Sequence, residues 1–505
     1  MNKGKVYIVG GGPGDPGLLT LRGKECLERA DVVVYDYLVS DDILAYASPH
    51  ARFIYVGKKG GDHTVSQDRL NQILVDEALE GRLVARLKGG DPFIFGRGGE
   101  EAQILAKSGI PFEVVPGISS AVAVPAYAGI PLTHRRHTSA VAFVTGHEDP
   151  VKEESCLDWE KLAGIETLVF LMGVKNLPHI TKMLIEKGKS PGTPSALIRW
   201  GTTPDQETVT APLADIVSAA AARKFSPPAI FVVGQVVALR EELAWFEKRP
   251  LFGTTVVVTR PEAQAAPFAA LLREKGARVI MFPVIRVVPA ENMGLLDGAL
   301  SEIGSYQWII FTSANSVKIF FERLRNLNMD VRDLKGVHIA TIGPATASAI
   351  EKRGIRVDLV PEEFISEGVV GAFAELDIKG ARILLPRAET ARDVIPRGLA
   401  QKGAIVDVIP VYRTVGSGRE GTDFIRMIQG KKVDVITFTS PSTVKNFIDI
   451  IGGVSEIPPT AHIACIGPVT AEAAEKAGLA VDIMQGPYEI EGFVETIVTY
   501  MKGCK

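Results

Sequence analysis

No stretch of this chain holds the about 18 consecutive apolar residues that a membrane-crossing helix needs, which excludes a helical membrane protein. Cysteine is scarce. Cys26, Cys156, Cys465 and Cys504 lie scattered through 505 residues with no CxxC pair. That spacing excludes a disulfide framework and a zinc ribbon, and it suits a reducing compartment. An excess of charge is also missing: 56 Lys and Arg against 59 Asp and Glu leave a formal net charge of −3. Nucleic acid is therefore not expected as the main partner. The N-terminus runs at once into a Gly/Pro loop without an apolar signal segment, so a cytoplasmic location is expected. No His, Cys or carboxylate cluster has ligand spacing, and no metal is expected.

What remains is ordinary in bulk, with 46% apolar and 23% charged residues, and long enough for more than one domain. The first half alternates short β-branched runs with amphipathic stretches. Val6–Gly10, Val32–Tyr35, Phe53–Val56, Val84–Leu87 and Phe112–Val115 read as strands, with helical spacing over Leu18–Arg29 and Gln67–Glu80. Further strands are expected at Ala140–Thr145, Leu168–Met172, Ser195–Ile198 and Ala229–Val233, followed by a charged helix over Val237–Lys248. Arg249-Pro-Leu-Phe-Gly253 then breaks the chain before a new strand at Thr254–Thr259. The domain boundary falls there: 1–248, a linker at 249–253, and 254–505.

Glycine is concentrated where it carries information. Val84-Ala-Arg-Leu-Lys-Gly-Gly-Asp-Pro-Phe-Ile-Phe-Gly-Arg-Gly-Gly-Glu-Glu101 begins as a strand and opens into a loop with five glycines. A loop of that kind at a strand end lets backbone approach a ligand closely. A second loop, Gly12-Pro-Gly-Asp-Pro-Gly17, satisfies the G-x-G-x-x-G pattern of dinucleotide sites, and Asp36 stands at the end of the next strand. A nicotinamide-dependent dehydrogenase is thus one reading. Against it, Pro13 and Pro16 have no N–H to offer a pyrophosphate. The loop better suits a ligand held by close backbone approach and carbonyl contacts, such as a cationic sulfonium nucleoside.

The second half is internally duplicated. Val256-Val-Val-Thr-Arg260 resembles Ile383-Leu-Leu-Pro-Arg387, Phe282-Pro-Val-Ile285 resembles Ile409-Pro-Val-Tyr412, and Ile310-Phe-Thr-Ser313 resembles Thr437-Phe-Thr-Ser440, all displaced by 127 positions. Ile339-Ala-Thr-Ile-Gly-Pro-Ala-Thr-Ala347 recurs as Ile463-Ala-Cys-Ile-Gly-Pro-Val-Thr-Ala471, displaced by 124. So long a period excludes a solenoid and indicates two related α/β lobes, between which a small molecule is commonly held.

Taken in order, Val9-Gly-Gly-Gly-Pro-Gly-Asp-Pro-Gly-Leu-Leu-Thr20, Ala30-Asp-Val-Val-Val-Tyr-Asp-Tyr-Leu-Val39, Val56-Gly-Lys-Lys59 and the Val84–Glu101 loop resemble the tetrapyrrole methylases. Val115-Pro-Gly-Ile-Ser-Ser120, Gly129-Ile-Pro-Leu-Thr-His-Arg135, Thr145-Gly-His147 and Val169-Phe-Leu-Met-Gly173 extend the likeness. It is nearest to the uroporphyrinogen-III C-methyltransferases and spans roughly 4–247. The second half, roughly 254–500, resembles uroporphyrinogen-III synthases through its duplicated blocks and Pro410-Val-Tyr-Arg-Thr414. The implied fold is α/β throughout: a two-lobed methylase, then a two-lobed, internally duplicated, flavodoxin-like synthase. The repeat alone pairs 254–366 against 381–490. The family instead implies lobe one at about 254–288 plus 416–505 and lobe two at about 290–414, with crossovers near Pro289 and Val415.

The resemblance implies two methyl transfers from S-adenosylmethionine to C2 and C7 of uroporphyrinogen III, giving precorrin-2 for the sirohaem or cobalamin branch. Cofactor contacts carry over to Pro13, Gly89, Gly90, Asp91, Ile94, Ser119, Ser120, Met172, Gly201 and Ala229. Ser119-Ser120 departs mildly from the family's Thr-Ala. By the same analogy Asp36 accepts a proton and Lys58 donates one. Two plainer roles stay open: a helix cap for Asp36, and a point charge on a substrate carboxylate for Lys58. Arg97, His134 and Arg135 are candidates for clamping a substrate with eight carboxylates, the last two being equally suited to a solvated loop. In the second half the implied reaction closes hydroxymethylbilane with inversion of its last ring and loss of water. Tyr412 is the implied acid, and Arg260, Ser313, Arg387, Thr439 and Ser440 are candidate substrate contacts or turn caps. A homodimer through the methylase half is the implied assembly. A second half that holds tetrapyrrole without catalysis is the alternative of a different class.

Overall fold

The computed structural model describes residues 3–57, 65–146, 157–428, 432–485 and 489–504. They form two compact units. The first comprises the described residues up to Thr254 with Leu272–Arg278 and those from Met501 onward; the second comprises Thr255–Leu271 and Val279–Tyr500.

The first unit is built on two sheets. Strands β1 (Lys5–Gly10), β2 (Val32–Tyr35), β3 (Arg52–Tyr55), β4 (Leu83–Lys88) and β5 (Phe112–Val115) assemble in the order β3-β2-β4-β1-β5. Every pairing is parallel. A parallel sheet is covered on both faces, which is why β2 reads Val-Val-Val-Tyr without alternation. Val6, Ile8, Val34 and Val84 pack on one face, and Tyr7, Val9, Val33, Ala85 and Leu87 on the other. The crossover helices begin on proper caps: Thr20 accepts from Gly23 ahead of Leu21–Arg29, and Ser66 from Arg69 ahead of Gln67–Leu79. Helix Gly98–Lys107 leads from β4 to β5.

The second sheet holds β6 (Val141–Thr145), β7 (Thr167–Leu171), β8 (Pro194–Arg199), β9 (Glu207–Pro212) and β10 (Ala229–Val233) in the order β6-β7-β10-β8-β9. Only β6 and β7 run parallel. Phe170 and Phe231, both fully buried, stack at 5.8 Å across β7 and β10. Each contributes about 1.5–3 kcal/mol by leaving water.

One expected element is absent. Val237–Lys248 is not a single helix but a 3₁₀ turn, Gln235–Leu239, followed by one helical turn, Arg240–Leu243, ending where Ala244 goes extended. Tertiary contacts override the local pattern here. Trp245 donates its indole N–H to the Ala126 carbonyl, and Trp245 and Phe246 pack on Tyr127, which pulls the chain out of helical register.

The second unit carries β11 (Thr255–Val258), β12 (Arg278–Met281), β13 (Ile285–Pro289), β14 (Trp308–Phe311), β15 (His338–Thr341), β16 (Arg382–Ala388), β17 (Ile405–Gly416), β18 (Val435–Phe438), β19 (His462–Cys465) and β20 (Ile483–Met484). They form two five-stranded sheets, β12-β11-β18-β19-β20 and β13-β17-β16-β14-β15. The duplicated blocks thus occupy equivalent strands in different sheets, β11 with β16 and β14 with β18. The chain leaves the first sheet through β13 and returns along the end of β17. These two passages pair antiparallel, from Ile285 opposite Gly416 to Pro289 opposite Tyr412. Separate apolar cores flank the sheets, one around Phe282, Phe424, Phe438 and Phe447 and another around Phe311, Phe320 and Phe321.

Candidate functional site

In the first unit a cavity of about 650 Å³ opens at the carboxyl ends of β1, β2 and β4, between the two sheets. Its floor is the pair of glycine loops. Gly12 and Gly90 exchange backbone hydrogen bonds, 3.2 Å from Gly12 N to Gly90 O and 2.7 Å from Gly90 N to Gly12 O. Gly90 sits at φ +70°, where other residues are strained. A Cβ on Gly117 would stand 2.3 Å from the Gly90 carbonyl oxygen, so the third loop also closes only on glycine. Asp91 fastens this arrangement. Its Oδ1 accepts from Phe93 N and Ile94 N at 2.8 and 3.1 Å, and its Oδ2 from Gly117 N at 3.0 Å.

All ten positions named for the cofactor line this cavity: Pro13, Gly89, Gly90, Asp91, Ile94, Ser119, Ser120, Met172, Gly201 and Ala229. Ser119 also caps helix Ser120–Tyr127. Four wall residues, Phe95, Arg97, Met172 and Trp200, hold positive φ without being glycine. Such backbone costs about 1–3 kcal/mol per residue and tends to gather at ligand sites.

Asp36 lies on the wall and caps no helix; Ser40 caps the short helix Asp41–Leu44. The Asp36 carboxylate instead accepts from Leu38 N at 3.1 Å and from Arg86 Nη2 at 3.2 Å. Arg97 lines the cavity with its guanidinium doubly bonded to Glu100. His134 and Arg135 do not line it. They belong to a turn in which His134 Nδ1 accepts from Arg136 N and the rings of His134 and His137 stand 4.8 Å apart. Lys58 lies outside the described residues.

Arg86, Lys88 and Glu101 escaped the sequence reading, although a signal was present. Val84, Arg86 and Lys88 alternate with Ala85 and Leu87, which places two cations on one face of a strand whose neighbours are core. Both are buried, beside a fully buried Glu101. Burial, with the Arg86 cation next in importance, holds the Lys88 ammonium below its ordinary pKa.

In the second unit, Tyr412 and Ser313 meet at 3.0 Å between hydroxyl oxygens. Ser313 is the N-cap of helix Ala314–Asn326 and accepts from Ser316 N at 3.1 Å. Its repeat counterpart Ser440 caps helix Pro441–Ile451 but turns its hydroxyl to Ser442, and the position matching Tyr412 is the buried Ile285. The duplication is therefore broken at Tyr412. Arg260 is half-buried and donates from Nη2 to Gln264 Oε1 at 3.0 Å; its Nε has no hydrogen-bond partner, and partial burial lowers its pKa. Gln264 in turn donates to Asn315 beside the Ser313 cap. Arg387 is paired with Asp393 at 2.7 Å. Thr439 stands next to the Ser440 cap, at the end of β18. No cluster of metal-binding side chains occurs among the described residues, and no described helix is long and apolar enough to cross a membrane.

Comparison with known proteins assigns each half to a family. Residues 5–217 match the model of the tetrapyrrole (corrin/porphyrin) methylases, and residues 266–495 that of uroporphyrinogen-III synthase HemD. A porphyrin biosynthesis protein HemD of Ruminiclostridium josui is 40% identical over 95% of this chain and 95% of its own. A uroporphyrinogen-III C-methyltransferase of Bacillus subtilis is 42% identical over 74% of this chain and 76% of its own. An S-adenosyl-L-methionine-dependent uroporphyrinogen III methyltransferase of Methanosarcina barkeri is 56% identical over 48% of this chain and 95% of its own. These matches set the dehydrogenase reading aside. The chain belongs to the family in which a tetrapyrrole methylase and a uroporphyrinogen-III synthase share one polypeptide.

Proposed function

We propose that this enzyme cyclises hydroxymethylbilane to uroporphyrinogen III in its second half and methylates that product at C2 and C7 in its first, giving precorrin-2. The observation that carries the reading is the cavity whose wall collects all ten positions expected for the methyl donor together with Asp36. The cavity suits S-adenosylmethionine. Its volume lies in the range of small-molecule sites, its loops present backbone, and Met172, Ile94, Val124 and Ala229 give it apolar walls. When bound, that group supplies an electrophilic methyl. Pro13, Gly89 and Gly90 would hold it against bare backbone, with Asp91 both on the wall and fastening the loop that meets it. Asp36 then takes the proton that the methylated pyrrole carbon must shed, its carboxylate aimed by Leu38 N and Arg86. Arg97, on the cavity wall, would meet a substrate carboxylate.

In the second half Tyr412 donates the proton that lets the hydroxyl of hydroxymethylbilane leave as water. Ser313 fixes the tyrosine, and Arg260, a half-buried cation beside neutral Gln264, offers itself to a substrate carboxylate. Positioning the linear tetrapyrrole supplies much of the remaining acceleration. We place the methylase half at 1–248, the linker at 249–253 and the synthase half at 254–505. Lobe one is about 254–288 with 416–505, and lobe two about 290–414; the strand membership of the two sheets supports this division. A cytoplasmic homodimer, joined through the methylase half, completes the reading.

The full chain incubated with hydroxymethylbilane and labelled S-adenosylmethionine tests both halves at once. Doubly labelled precorrin-2 is the expected product. The type I isomer alone, formed spontaneously, would show that the second half holds tetrapyrrole without catalysing its closure.

A further inference from the structure

Under the carboxyl end of the first sheet four charged side chains form a line. Lys88 Nζ lies 2.8 Å from Glu101 Oε1, and the same oxygen is 3.3 Å from Arg86 Nε. At the far end Arg86 Nη2 is 3.2 Å from Asp36 Oδ2. Gln67 Nε2 also approaches Glu101 Oε1, at 3.4 Å, while Glu101 Oε2 has no hydrogen-bond partner. Arg86 is anchored further by donating Nη1 to the Leu87 carbonyl at 3.0 Å. Asp36, Arg86, Lys88 and Gln67 reach the cavity wall; Glu101 does not.

Stability alone does not explain this line. Withdrawing three charges from water is costly, and apolar side chains of like volume usually stabilise a core as well or better. Helix Gly98–Lys107 turns Ala102 and Leu105 to the apolar core of this sheet. What the line does achieve is geometric. The Asp36 carboxylate is gripped on one oxygen by a turn amide and on the other by a guanidinium that is itself immobilised. Reaction rates depend steeply on such placement, about 100-fold for a displacement near 1 Å.

We propose that Glu101, acting through Arg86, is a positioning residue for the Asp36 carboxylate, with Lys88 as the second cation that holds the Glu101 carboxylate in place. The assignment rests on Asp36 being the proton acceptor. Glu101→Gln keeps the shape and removes the charge, and it is compared in the full chain with Asp36→Asn and with the double variant. Methyl transfer to uroporphyrinogen III gives kcat and KM, calorimetry with S-adenosylhomocysteine gives a Kd, and thermal unfolding reports folding.

E101Q is expected to lower kcat about 10- to 100-fold while KM and the S-adenosylhomocysteine Kd change less than about 3-fold. Because both residues act through one carboxylate, the double variant should be no slower than D36N alone, within about 2-fold. A D36N defect accompanied by an E101Q rate at the wild-type level, or by losses that multiply in the double variant, would overturn the assignment. A wild-type rate in D36N would overturn the Asp36 reading itself. Should E101Q unfold, Arg86→Lys keeps the charge but loses the reach to Asp36, and the same kcat loss with unchanged KM is expected of it; an unchanged kcat there also sinks the proposal.

Discussion

In the proposed roles Asp36 takes a proton and Tyr412 gives one, and each is held by hydrogen bonds, Asp36 by Leu38 N and Arg86 and Tyr412 by Ser313. Asp36→Asn keeps the turn bond to Leu38 N but cannot take a proton, and methyl transfer should fall about 10²- to 10⁴-fold in kcat. Tyr412→Phe removes the hydroxyl and leaves the Ser313 cap intact. Formation of the type III isomer should fall by a similar about 10²-fold or more, read by isomer analysis of the oxidised product. The cysteines permit a third test at this scale. Burial pushes the Cys465 thiol up to about 12 and raises Cys26 as well, whereas Cys504 is exposed. Since the thiolate is the nucleophile, brief treatment of the native protein with iodoacetamide at pH 8 should alkylate Cys504 and spare Cys26 and Cys465. Peptide mass spectrometry that found Cys465 modified as fast as Cys504 would contradict that burial.

Among the elements, the glycine loops separate residues the backbone needs from residues it merely tolerates. Gly117→Ala would drive a Cβ to 2.3 Å from the Gly90 oxygen, and backbone cannot yield as a side chain does. The two loops would be forced apart, with S-adenosylhomocysteine affinity falling about 10-fold or more in a titration, equivalent to roughly 1.4 kcal/mol. Gly99, in helix Gly98–Lys107, has nothing within 4 Å of an added Cβ. Gly99→Ala should leave affinity unchanged and stabilise by about 0.4–1 kcal/mol in denaturant unfolding, through reduced freedom of the unfolded chain. In the Val84–Glu101 stretch the glycines were legible as a ligand loop. The alternation in the same strand put Arg86 and Lys88 on one face, but their burial became visible only with the packed helix carrying Glu101. The Val237–Lys248 segment failed for a related reason: its charge pattern is helical, but Trp245 and Phe246 gain more against Tyr127 than a further helical turn offers.

At the scale of the whole molecule the two activities should be separable by point changes. D36N is expected to convert hydroxymethylbilane to uroporphyrinogen III at the wild-type rate while failing to methylate it. Y412F should methylate uroporphyrinogen III supplied to it at the wild-type rate. If either variant lost both activities, the two chemistries would not reside in separate units as the fold has them. Motif order, duplicated blocks and the Arg249–Gly253 break lie in the chain itself, because glycine, proline and periodicity act locally and leave a local trace. By itself the sequence therefore determined the α/β class and the duplication, and through its likeness to the methylases it named ten positions that line one cavity. Tertiary structure alone decided which quarters of the second half share a sheet, since strand pairing joins residues about 180 positions apart, as in β11 with β18. It alone turned Ser313 toward Tyr412 while its twin Ser440 faces another serine, and it alone set Glu101 behind Arg86. Those outcomes depend on burial and on distances between segments remote in the chain, which residue order does not encode locally.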